Sequence, residues 1–103
     1  FAKYLTFSAA RLSAAEALRI GFLAEVLPPN TLDERVAEIA LAIASSAPLS
    51  VKASKAAIRA VLSGNTADAM HAQTLGAATF DSADYEEGRL AFKQRREPEF
   101  RGK

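Results

Sequence analysis

The sequence predicts an all-α fold, a small orthogonal bundle of helices joined by short connections. Three observations carry that expectation. Apolar residues recur at steps of three and four along most of the chain, capping residues with glycine and proline punctuate those stretches, and no segment sustains a period of two. At 103 residues the chain has the size of one domain, residues 1–103, with one core. Half of the residues are apolar, and alanine supplies much of that half. Alanine-rich faces let helices approach closely but bury little area per side chain, so such a domain gains from a partner surface.

The segment from Phe1 to Phe7 has neither an initiator Met nor a signal-peptide pattern, and it reads as the last turns of a helix begun earlier in a longer protein. Ser13 and Glu16 stand at capping-box spacing, which predicts a short helix over about 14–20. Gly21 suits the left-handed position that closes it. Residues 22–27 alternate in part and stop at Pro28-Pro29, giving an extended connector with room for one edge strand. Asn30 or Thr31 then caps a helix whose apolar stripe is Leu32, Val36, Ile39, Ala40, Ile43 and Ala47.

Pro48 fits the first turn of the next helix, which runs to Ser63 and ends at Gly64. Leu49, Ala53, Ala56, Ala57, Ala60 and Val61 form its apolar side, while Lys52, Lys55 and Arg59 share another face. Asn65-Thr66 caps a helix to about Phe80, and Asp81-Ser82 caps a last one that runs past Phe92 toward Arg96. Pro98 and Gly102 mark a frayed tail.

Composition removes several function classes. The net charge of +1 argues against a surface tuned for nucleic acid, and the absence of cysteine removes disulfides and thiolate zinc sites. There is no apolar run near the ~20 residues of a membrane span, so a reducing aqueous compartment, the cytoplasm, is expected. His71 is the one histidine, with no carboxylate beside it by spacing, and reads as structural or solvated. Ser13 with Glu16 and Ser82 with Asp84 read as caps. Asp33, Glu34, Glu38, Glu86 and Glu87 read as solvated surface charge. In the tail, Phe92 stands beside Lys93, Arg95 and Arg96: the group suits either stacking and phosphate contact or neutralisation of the negative helix end.

Four stretches, in order, resemble the closing segment of the enoyl-CoA hydratase/isomerase (crotonase) family. They are Leu12-Ser-Ala-Ala-Glu-Ala-Leu-Arg-Ile-Gly21, Val26-Leu-Pro28, Ala47-Pro48 with Lys55, and Asp81-Ser-Ala-Asp-Tyr-Glu-Glu-Gly-Arg-Leu-Ala-Phe92 leading to Arg96 and Pro98. The resemblance implies the C-terminal helical domain of a crotonase fold, with its ββα-spiral core absent from these residues. It implies an acyl-CoA thioester as substrate and no separate cofactor. The oxyanion hole for the thioester enolate and the acidic catalytic residues would lie in that core, so no catalytic role falls on this chain. As implied by position, Phe92 meets the adenine end of CoA and Arg95 stands where relatives often carry a lysine near the nucleotide phosphate. The family's assembly implies a homotrimer or hexamer.

Two departures stand out. Ser8-Ala9-Ala10 replaces a frequent Thr-Gly-Arg, and Ala72-Gln73 stands where relatives often have an acidic residue. Two other readings compete: a stand-alone helical interaction module, and a small nucleic-acid binder that needs Lys52, Lys55 and Arg59 on one surface with the basic tail.

Overall fold

The computed structural model describes residues 1–103 and contains six helices and no strand. They are α1 (Ala2–Ser8), α2 (Ala14–Arg19), α3 (Leu32–Ala44), α4 (Pro48–Ser63), α5 (Thr66–Phe80) and α6 (Ala83–Gln94). The chain forms two compact units, Phe1–Val36 and Ala37–Lys103, with α3 beginning in the first and continuing into the second.

In the first unit the Ser13 capping box forms in both directions. Ser13 Oγ accepts from the Glu16 N–H at 3.2 Å, and Glu16 Oε2 accepts from the Ser13 N–H at 3.1 Å. The Ser13 hydroxyl also donates to Glu16 Oε2 at 2.6 Å, and this bond first, with the Ser13 N–H second, holds the Glu16 carboxyl below its ordinary range. Gly21 takes φ +75°, as expected of a residue without Cβ just past a helix. Ala9 closes α1 at φ 49°, ψ 31°, so an alanine here carries strain that glycine would not.

Residues 22–27 form no strand. The partial alternation is too short to bring a ladder partner, and the connector is held instead from its sides. Glu25 accepts from Arg35 Nη2 at 2.6 Å and Nε at 2.9 Å, a two-pronged pair that lowers the Glu25 carboxyl pKa. Asn30 turns the chain at φ 67°, and the Thr31 hydroxyl donates back to the Pro28 carbonyl at 2.9 Å.

In the second unit the chain bends by 105° between α3 and α4, in keeping with an orthogonal bundle. Pro48 opens α4, and Gly64 closes it at φ 61°. Asn65 Oδ1 then caps α5 by accepting from the Ala67 N–H at 2.8 Å. With only two residues between them, α4 and α5 pack as an αα-hairpin. Half-buried positions repeat at steps of three and four on both: Leu49, Ala53, Ala56 and Ala60 on α4, and Asp68, Ala72, Leu75, Gly76 and Thr79 on α5. Small residues dominate, so the two backbones approach closely while larger apolar side chains point elsewhere.

The only fully buried apolar residues are Ala17 and Ala91. Val36, Ile39, Ile43, Ile58, Val61 and Leu62 are exposed, Val61 by 83% and Leu62 by 82%. The accessible surface is 8628 Å² for 11.0 kDa. A compact body of that mass exposes about 5,600 Å², and two separate bodies sharing it about 6,700 Å². The excess reflects helix faces whose apolar side chains are left uncovered within these residues.

The frayed tail expected after α6 is instead bound along it. α6 ends at Gln94, short of Arg96, because Arg95 turns left-handed at φ 54°, ψ 43° and its N–H returns to the Ala91 and Phe92 carbonyls. The remaining residues then run back beside the helix. The Arg101 and Gly102 N–H groups donate to Asp84 Oδ1 and Oδ2, each at 2.7 Å, and the Asp84 N–H donates to the Lys103 carbonyl at 3.1 Å. Asp84 is only 4% exposed, and its two carboxylate oxygens are each satisfied by a backbone donor.

Candidate functional site

α6 and the returning tail build one wall of an open groove of about 460 Å³. Ser82 fixes the helix start by accepting from the Tyr85 N–H at 3.1 Å and donating to the Thr79 carbonyl at 2.6 Å. Tyr85, Gly88, Arg89 and Phe92, spaced three and four apart, therefore share the face that lines the groove. Leu49 from the start of α4 and Phe100 from the tail complete its apolar lining. Phe100 lies against the bare face of Gly88, where a Cβ would be 3.5 Å from its ring.

The aromatic groups are held in defined geometry. Phe80 and Tyr85 meet edge to face at 5.4 Å with planes 70° apart, and the Arg89 guanidinium sits 5.9 Å from the Tyr85 ring centre. Phe92 reaches the rim 88% exposed, an aromatic face with no partner ring. Arg95 is at the same helix end but outside the groove lining, and Arg89 is the cation that lines it.

The tail that carries Phe100 is pinned a second time by Glu87. Its Oε1 and Oε2 take Arg96 Nη1 and Nη2 at 2.6 and 2.8 Å, and Oε1 also accepts the Glu99 N–H at 2.9 Å. Glu87 is thus a bound anion rather than solvated surface charge, its carboxyl held down to about 2 by the Arg96 guanidinium first and the Glu99 N–H second. Asp84 is the one carboxylate lining the groove, and its two oxygens are engaged by the Arg101 and Gly102 N–H groups. No cluster of three His, Asp or Glu side chains is arranged to hold a metal ion.

Sequence reasoning singled out Phe92 and Arg95 and missed Tyr85, Arg89 and Phe100. The first two were legible, since they share the helical face of Phe92. Phe100 was not, because its position depends on the fold-back at Arg95 and on long-range bonds to Asp84 and Glu87.

This arrangement of helices is that of a known class. The chain matches the family described as Enoyl-CoA hydratase/isomerase over residues 1–103. An enoyl-CoA hydratase structure from Bacillus anthracis superposes with a TM-score of 0.88 at 32% identity, covering 99% of this chain and 40% of that one. The (E)-benzylidenesuccinyl-CoA hydratase of Thauera aromatica is 40% identical over 94 residues, 88% of this chain and 36% of the relative. The methylmalonyl-CoA decarboxylase of Escherichia coli is 32% identical over 103 residues, 97% of this chain and 40% of the relative. The chain belongs to the enoyl-CoA hydratase/isomerase family. Its all-α fold corresponds to the C-terminal part of the crotonase fold, and it spans about two fifths of the length of these relatives. No single helix is long and apolar enough to cross a membrane.

Proposed function

We propose that this chain is the C-terminal part of an acyl-CoA hydratase or isomerase, where it closes the CoA site and mediates self-association into a trimer or a hexamer. The bonds of the acyl-CoA thioester are made and broken outside these residues, by enolate chemistry over an oxyanion hole, and no cofactor besides the CoA of the substrate takes part. The enzyme works in the cytoplasm. The observation that carries the reading is Phe92, an 88%-exposed ring at the rim of an apolar groove. A solvent-facing phenyl ring on a rigid helix is a ready stacking surface for adenine. Arg95 beside it, and Arg89 in the groove, supply guanidinium groups suited to phosphate oxygens. The exposed apolar stripe of α3 supports the second role, since such faces are covered in stable assemblies.

Titration of adenosine 3′,5′-bisphosphate into the chain tests the nucleotide role. Saturable binding that weakens about tenfold in Phe92→Ala, the loss expected when one base–aromatic stack is removed, is the predicted result. Binding of equal strength in Phe92→Ala and in Arg95→Gln would overturn the assignment.

A further inference from the structure

A second groove, on a different face of the second unit, has no part in that reading. Lys52, Lys55 and Arg59 recur at steps of three and four along α4, and the short turn at Gly64-Asn65 returns α5 so that Asp68 and His71 meet them. Together they line a cavity of about 350 Å³ floored by Ala56 and Leu75. We propose that this groove binds a small phosphate-bearing molecule through Lys52, Lys55 and Arg59.

Three cations face one carboxylate in a chain whose net charge is only +1, so positive charge is concentrated here. Asp68 offsets only one of the three: it accepts the Ser63 hydroxyl at 2.7 Å and pairs loosely with Arg59 Nε at 3.8 Å. Lys52 and Lys55 have no other acidic residue in the groove. On α6, by contrast, Arg96 is held by both oxygens of Glu87.

Two ammonium groups and a guanidinium fork, mounted on one helix face and lining one cavity, offer donors to the oxygens of a phosphate. The volume admits the phosphate and part of its carrier, whose apolar portion meets Ala56 and Leu75. Asp68 bounds the groove at one end, which suits a single phosphate and opposes a polyanion laid along it.

The test is a titration of the chain with inorganic phosphate and with glycerol 1-phosphate at constant ionic strength, followed by amide shifts along α4 and α5. Both probes are expected to saturate. Lys52→Gln and Lys55→Gln should each weaken them about tenfold, as for one charge-assisted hydrogen bond, and glutamine keeps helix propensity. Asp68→Asn should tighten binding by removing the one opposing charge. Affinities unchanged in the two lysine variants, or weakened in Asp68→Asn with helix content intact, would overturn the proposal. So would binding seen only to phosphatidylcholine vesicles containing phosphatidic acid, which would make the source a membrane surface. Phe92→Ala should leave these affinities unchanged, which separates this site from the nucleotide groove.

Discussion

Two parts of the molecule, both helical, hold themselves together by opposite means. α6 and the tail close on each other through polar groups: Asp84 takes two tail amides, Glu87 takes Arg96 and the Glu99 amide, and Phe100 covers Gly88. α3, α4 and α5 contain no fully buried residue, and apart from Leu49 and Leu75 their larger apolar side chains are exposed. The difference separates a segment that satisfies its own donors from one whose apolar faces are left uncovered. It follows that the first should keep its structure whatever surrounds it, and the second should respond to association.

The largest change should come from Asp84→Ala, which strands the Arg101 and Gly102 amides and removes a buried anion. Two hydrogen bonds to a charged acceptor contribute about 3 kcal/mol or more. Amide exchange at residues 101 and 102 should accelerate by at least about 100-fold. If α4 and α5 exchange equally faster, the two regions are one cooperative unit and the contrast is wrong.

Next in size is the α3 face. Changing Ile39 and Ile43 together to serine should weaken self-association by more than tenfold in sedimentation equilibrium. Because both are exposed, the cost to the isolated chain should stay within about 0.5 kcal/mol each, read as unchanged helical circular dichroism. A loss of helix content at high dilution would instead place these residues in an internal core.

Acid sharpens the other side of the comparison. The Glu87 carboxyl lies below its ordinary 4.5, at about 2, so its pairing with Arg96 contributes fully above about pH 4.5 and fades as pH falls toward 2. Tail protection at Glu99 should therefore persist at pH 4 and be lost by pH 2, and Glu87→Gln should abolish that pH dependence. The smallest effect is at Ala9. Glycine there relieves a left-handed alanine, offset by the freedom glycine adds to the unfolded chain, for a net gain of at most about 1 kcal/mol in thermal unfolding.

Much of this architecture was written in local signals. Ser13, Asn65 and Ser82 each cap the helix expected of them, and Gly21 and Gly64 each take the positive φ their places require. Where the reading failed, long-range geometry decided. Arg95 ends α6 in a conformation no propensity assigns to arginine, and the tail bonds join residues as far apart as Asp84 and Gly102. The same limit governed the site. Phe92, Tyr85 and Arg89 follow from one helical face, but Phe100 joins them only through the fold-back. Lys52, Lys55 and Arg59 were legible as one face, whereas the meeting with Asp68 and His71 needed the α4–α5 turn.

The most direct test of the division is residue-resolved hydrogen exchange of the chain at several protein concentrations. The account predicts that protection along α6 and at Glu99, Arg101 and Gly102 is independent of concentration, while protection along α3 to α5 rises as the chain associates. Concentration-independent protection across α3 to α5, at the level found in α6, would contradict it.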